Sequence, residues 1–338
     1  MKCVNITGKS ATEIVEQPNP KANGEFVIVK TIVAPMCTEA KAYADGHMFH
    51  PLGHEAAGEV VDVAQQGTVA VGDRVVVMPQ YPCGKCQLCL AGDYINCLHN
   101  HDMTKVLGTE RGIDTYGQYV VKQDWLLIPI PDDMSYEHAS MACCGLGPSF
   151  GGMERACVDA FDTVLVTGLG PVGLGGVING VARGARVIGV DSNAYRSNLA
   201  KDLGVVAVVN PLDPDALDQI LSLTGGKGVD KAIECSGTGA AARLCIQAAR
   251  RKGQVALVGA SGDFTVNGWS DFISKGLSIH GAWHWNYGDV DRIFKVIRGS
   301  GDPIDRLITH TFPLEKVEDA FNLQLSGDCG KVLLYPWQ

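Results

Sequence analysis

The chain of 338 residues is long enough for about two domains, each with its own core. Apolar residues make up 46% and charged residues 19%, with 41 glycines and 15 prolines, a balance that excludes collagen, coiled coil and a disorder-dominated chain. The 28 basic and 37 acidic side chains leave a net charge of −9, so no nucleic-acid partner and no polybasic membrane anchor are expected. The opening segment MKCVNITGKSATEIVEQ lacks the apolar stretch and small-residue end of an export signal, and the expected compartment is the cytoplasm. There, the 12 cysteines are expected to be reduced, so their spacing is read for metal rather than for disulfides.

In the first half, short β-type runs at 26–33, 58–63 and 74–78 are separated by Gly, Pro and Asp turns, which predicts a β-rich, irregular lobe. From Asp162 the pattern changes to apolar strands alternating with helical segments, the spacing of βαβ units. Strands are predicted at 163–167, 187–190, 205–209, 231–235, 254–258 and 277–280, which would complete a doubly wound dinucleotide-type sheet. The uncharged stretch 163–182 approaches membrane-span length, but its six glycines and Pro171 make it strand, loop and helix. Beyond Asn286 the sequence predicts helices at 290–298 and 314–324 and a closing strand at 331–335, a tail expected to return to the first half.

Three constellations carry chemistry. Cys83, Cys86, Cys89 and Cys97 place four thiols within 15 residues, a set that suits a closed, structural tetrahedral Zn²⁺ site; an iron–sulfur cluster is the other metal reading. GLGPVG (Gly168, Leu169, Gly170, Pro171, Val172, Gly173) stands between a strand and a helical run, and Asp191 with Ser192 follows the next strand. Gly168 permits the tight turn, Gly170 lets backbone approach a pyrophosphate, and Gly173 lets helix and strand pack. The Asp191 carboxylate would accept from a ribose diol and repel a 2′-phosphate, which favours NAD over NADP; Arg196 is placed to flank the adenine or meet a phosphate. The third set is Cys37, His54, Glu55 and the neighbours Cys143 and Cys144, from which three ligands could hold a catalytic Zn²⁺ with an open position.

GHEAAGEV, the four-cysteine loop, GLGPVG and VIGVD occur in the order and spacing of the zinc-dependent medium-chain alcohol and polyol dehydrogenases, which the chain resembles over essentially its whole length. The resemblance implies an α/β fold: a β-rich GroES-like catalytic domain from residues 1–147 and 288–338, and a Rossmann doubly wound parallel sheet at 148–287. It also implies an active site where the two meet, two Zn²⁺ per chain, and a homodimer or homotetramer. By motif, His54 matches the histidine ligand and Glu55 the adjacent acid near or on the zinc. Cys144 matches the last ligand, with Cys143 as the alternative. Cys235 in IECSG, together with Val258 and Gly259, resembles the strand ends beside the nicotinamide. Substrate oxygen would bind the zinc, hydride would pass to the nicotinamide, and the proton would leave through a hydroxyl, for which Thr38 is the candidate.

One segment is out of step with the family, which carries Cys, any residue, Ser or Thr, then Asp. Here Cys37, Thr38, Glu39 and Ala40 stand together, so one register puts Cys37 on the metal with Glu39 at the hydroxyl position. The other puts Thr38 and Glu39 on the hydroxyl and acid, Met36 at the ligand position and Lys41 where many relatives carry a relay histidine. A thioether is a poor Zn²⁺ ligand beside thiolate, so Cys37 is preferred. Trp283, His284, Trp285 and Tyr287 could wall a cleft for a polyol, cyclitol or aromatic alcohol, or be ordinary core aromatics; His47 and His50 could face it too. The expected activity is NAD-dependent oxidation of a secondary alcohol or polyol to the ketone. The alternatives are oxidation of threonine or an amino alcohol, whose ammonium would need Glu39 as the free acid, and an NAD-binding protein without the catalytic zinc.

Overall fold

A computed structural model describes residues 1–47, 52–108 and 112–338. They form two compact units, one of residues 1–143 with 308–338, the other of residues 144–307.

The first unit is built on the strand Phe26–Pro35, whose run of Val, Ile and Thr suits a pleated surface buried on both faces. It pairs antiparallel with Ala56–Asp62, Tyr119–Gln123 and Lys331–Tyr335. The sheet runs Ile308–Pro313, Lys331–Tyr335, Phe26–Pro35, Ala56–Asp62, Arg74–Val77, Leu127–Pro129, with Tyr119–Gln123 beside this path. Residues 308–338 thus return to the first half through two strands, whereas the helix Val290–Gly299, expected to return with them, belongs to the second unit. On one side of this sheet Val27, Val29, Val60, Val75, Val77 and Val120 share a core. A second core gathers Met36, Tyr43, Tyr116 and Phe321, with the Tyr43 and Phe321 rings stacked at 4.8 Å. That stack fixes the short helix Glu39–Asp45, and with it the bend after Pro35 that carries Cys37.

The second unit is a six-stranded parallel sheet in the order Ala207–Val209, Arg186–Val190, Thr163–Thr167, Val229–Glu234, Ala249–Leu257, Ser278–Gly281. By order of appearance this is third, second, first, fourth, fifth, sixth, the doubly wound arrangement. The predicted strand at 163–167 forms as such. The one predicted at 205–209 forms only at Ala207–Val209, because Val206 is left 52% exposed. The helix predicted at 314–324 in the tail begins as a tight turn, Leu314–Lys316, before Val317–Ser326. Among the described residues no helix is long and apolar enough to cross a membrane; 163–182 is the strand Thr163–Thr167, a turn and the helix Pro171–Ala182.

Candidate functional site

The four thiols at Cys83, Cys86, Cys89 and Cys97 lie within 4.8 Å of one another. Cys86 to Cys89 and Cys83 to Cys97 are 3.5 Å apart, and Cys86 to Cys97 3.9 Å. A tetrahedron with Zn–S bonds of ~2.3 Å has S···S edges of roughly 3.8 Å, so the set suits one ion; a cluster of several irons would spread the sulfurs further. Backbone N–H groups point at sulfur, from Cys83 and His99 to Cys97 and from Cys86 to Cys83. Backbone N–H bonds, that of Cys89 first, hold the Cys86 thiol down to about 6, toward the thiolate a metal needs.

The second set is Cys37, His54, Glu55 and Cys144, whose ligand atoms also lie within 4.8 Å of one another. Cys144 is the residue at which the second unit begins, one peptide bond past Cys143. Of the two registers left open by the sequence, the geometry supports the one with Cys37 in the set. Met36 is fully buried in the apolar core, whereas Cys37 joins the cluster. Cys143 does not join it: its buried Sγ donates to the Val77 carbonyl at 3.4 Å, and burial raises its thiol far above the usual range. The out-of-step MCTEA segment therefore keeps a cysteine sulfur in the set.

Glu39 organises this cluster. Its Oε1 lies 2.6 Å from His54 Nδ1, and its Oε2 accepts from the Tyr116 hydroxyl at 3.0 Å and the Cys37 N–H at 3.1 Å. Burial alone would raise this carboxyl, but the His54 ring outweighs it and brings Glu39 down to about 2. The same pairing overcomes the burial that opposes charge on the ring and raises His54 well above its usual value. With Nδ1 bonded to a carboxylate, Nε2 is the nitrogen that can take a metal. Glu39 is 6% exposed with both oxygens engaged, which corrects its reading as the free acid for a substrate ammonium. Glu39→Gln should weaken zinc binding by this set about 10–100-fold, as expected when a ligand's carboxylate partner is lost. Competition with a chromophoric chelator measures it, and unchanged affinity would remove the ring-holding role.

Glu55 has a partner that sequence spacing did not reveal. Lys331 Nζ donates to its Oε1 at 2.7 Å, both side chains being fully buried, across 276 residues of chain. Burial lifts the Glu55 carboxyl to about 7, with Lys331 pulling the other way. Tyr116 was missed for the same reason. Of the remaining residues around the cluster, Thr38 and Lys41 are exposed, as is His47, while His50 lies outside the described residues.

In the second unit the dinucleotide motif forms its cradle. Gly168 has φ +76°, and a Cβ there would sit 2.5 Å from the Ser236 Cα; one on Gly173 would sit 1.8 Å from the Gly168 carbonyl oxygen. A Cβ on Gly170 would meet only Arg196 Nη1 at 3.9 Å, the open approach a pyrophosphate needs. Leu169 leads into Gly170, which caps the helix Pro171–Ala182 with no side chain bonded there, so the first-turn N–H groups of Val172 and Gly173 face outward for an anion. Asp191 Oδ2 accepts from the Leu169 N–H at 2.6 Å and Oδ1 from the Asn193 N–H at 2.8 Å, which holds the carboxylate beside the turn. Ser192 is exposed, and the buried Nε of Arg196 has no partner among the described residues. Cys235, Val258 and Gly259 are half-buried at the ends of neighbouring strands. Of the supposed aromatic wall, Trp285 and His284 are buried at 1% and 6% exposure, and Trp283 alone is exposed; Tyr287 is half-buried.

Two family models match: residues 23–132 that of an alcohol dehydrogenase GroES-like domain, residues 171–298 that of a zinc-binding dehydrogenase. The sorbitol dehydrogenase of Bacillus subtilis (strain 168) is 30% identical, over 99% of this chain and 97% of its own. The L-threonine 3-dehydrogenase of Symbiobacterium thermophilum is 31% identical, over 97% and 95%. A solved short chain alcohol dehydrogenase from Escherichia coli CFT073, complexed with the cofactor NADH, aligns with TM-score 0.83 at 25% identity over 99% of both chains.

Proposed function

Because the chain belongs to the zinc-dependent medium-chain alcohol dehydrogenases, oxidoreductases acting on CH–OH groups, we propose that it oxidises a secondary alcohol, polyol or cyclitol to the ketone with NAD. The observation that carries the proposal is the convergence of Cys37, His54, Glu55 and Cys144 in one ligand set. When bound, zinc on Cys37, His54 and Cys144 supplies a Lewis acid for the alcohol oxygen and NAD a hydride acceptor, while a second zinc on the four-cysteine loop is structural. Glu39 holds the His54 ring with Nε2 toward the set, and Glu55, neutralised by Lys331, lies beside it. The exposed Thr38 hydroxyl stands next to Cys37, at the start of the helix Glu39–Asp45, where it would pass the alcohol proton toward solvent. Gly168 to Gly173 would take the pyrophosphate and Asp191 the adenosine ribose, with Arg196 flanking. A cytoplasmic homo-oligomer is part of the proposal; the exposed Trp269, Ile273 and Trp283, which precede and follow the edge strand Ser278–Gly281 in sequence, support the oligomer.

Relatives named for sorbitol and for threonine leave two substrate classes, and the engagement of Glu39 favours the first, since the ammonium of threonine would need an acid. Initial rates with NAD on a panel of polyols, cyclitols and vicinal diols against L-threonine test it; turnover of threonine alone would reverse the choice. Asp191→Ala should lower kcat/KM for NAD about 10–100-fold, the worth of charged hydrogen bonds to the ribose, and leave NADP nearly unaffected. Equal losses with both cofactors would sink the role of Asp191.

A further inference from the structure

Glu234 ends the strand Val229–Glu234, and its fully buried carboxylate belongs to neither ligand set nor to the GLGPVG turn. Its Oε1 accepts from the Ser236 hydroxyl at 2.6 Å, the Ser236 N–H at 2.7 Å and the Gly237 N–H at 2.9 Å. Its Oε2 accepts from the Ser261 hydroxyl at 2.8 Å. The Glu234 carbonyl accepts from the N–H groups of Val258 and Gly259, both at 2.9 Å. One residue thus ties the loop that follows its own strand to the loop that follows the neighbouring strand Ala249–Leu257. The tie leaves no slack, because a Cβ on Gly259 would lie 2.4 Å from the Gly237 nitrogen and 2.9 Å from Glu234 Oε2.

A buried carboxylate is costly unless its oxygens are bonded, and an apolar side chain could close this strand end more cheaply. What the charge adds is a fixed geometry of two loops. In a doubly wound sheet a dinucleotide lies across the carboxyl ends of the strands at the point where their order reverses, here between Thr163–Thr167 and Val229–Glu234. Asp191 follows the strand on one side of that point and fits the adenosine half, so the nicotinamide half falls over the two loops that Glu234 joins. The geometry points to Glu234 as a positioning residue that sets the 235–238 and 258–261 loops as the seat of the nicotinamide half, an inference that rests on the NAD reading above.

The test is calorimetric titration of the zinc-loaded full chain with NAD and with ADP-ribose, which carries the adenosine and pyrophosphate but no nicotinamide. Glu234→Gln, which leaves backbone donors facing an amide, should raise the NAD Kd about tenfold and keep ADP-ribose within about twofold. Ser261→Ala removes a single bond to Oε2 and should raise the NAD Kd about threefold, which keeps the inference testable if the first variant does not fold. Equal weakening of both ligands would mark Glu234 as merely structural, and no change in either would deny it any role; each overturns the inference. Failure of the NAD reading looks different, since the unaltered chain would then bind neither ligand.

Discussion

Cys144→Ser is expected to leave about one zinc per chain in place of about two and to lower kcat by about three orders of magnitude, while Cys143→Ser keeps both metals and most turnover. The two side chains are neighbours with opposite surroundings. The Cys143 thiol is sealed in the first unit and donates to the Val77 carbonyl, a bond a serine hydroxyl can take over. The Cys144 sulfur lies among Cys37, His54 and Glu55. A catalytic Lewis acid is worth several kcal/mol in the transition state, and at 1.36 kcal/mol per decade that gives a loss of about a thousandfold. Zinc by plasma mass spectrometry, alongside kcat, measures both halves of the expectation. Two zincs retained in Cys144→Ser would sink the assignment of the ligand set, and loss of a zinc in Cys143→Ser would transfer the role to Cys143.

Lys331→Met is expected to destabilise the first unit by ~3–5 kcal/mol, because it removes the ammonium that faces the buried Glu55 carboxylate. The double variant Glu55→Gln with Lys331→Met should recover part of that loss, since a buried amide is penalised less than a buried unpaired charge. The pH dependence follows from the sign of the shift. Burial already lifts Glu55 from the ordinary carboxylate value to about 7 with Lys331 present, and removing the lysine lifts it further. A carboxyl whose folded pKa exceeds its unfolded one is not penalised while protonated, and is penalised increasingly as pH rises toward the folded value. The deficit of Lys331→Met should therefore be smaller near pH 5 than near pH 8. Urea titrations at the two pH values check this, and a deficit independent of pH would show that packing rather than charge is at stake.

Much of the fold was legible because its signals are local. The strand at 163–167, the glycines after it and Asp191 at the end of the next strand lie within 29 residues, where spacing and steric need coincide. The four thiols are closer still. The reading became ambiguous where one residue of slippage decides the outcome, as at Cys37 to Glu39. No local rule says whether Met36 or Cys37 turns inward; the packing of Tyr43 on Phe321, nearly the whole chain away, decides it. Lys331 and Tyr116 were invisible for the same reason, since a lysine in a closing strand reads as an edge charge until the strand is found in the sheet beside Phe26–Pro35. For Trp285 the cleft and core readings stayed open together, because an aromatic run looks alike whether it lines a cleft or fills a core.

The return of the tail into the first sheet also sets an order of assembly during synthesis. The second unit is continuous in sequence, so all its strands are available once residue 307 has left the ribosome, and its parallel pairs close over modest lengths of chain. The first unit has no such freedom. Its central strand waits for Lys331–Tyr335, and the ammonium that balances Glu55 emerges 276 residues after the carboxylate. Until then the ligand segment around His54 carries a half-built pair and an open sheet edge, so the nascent chain holds its metal-binding half unfinished beside a dinucleotide-type half that is already complete.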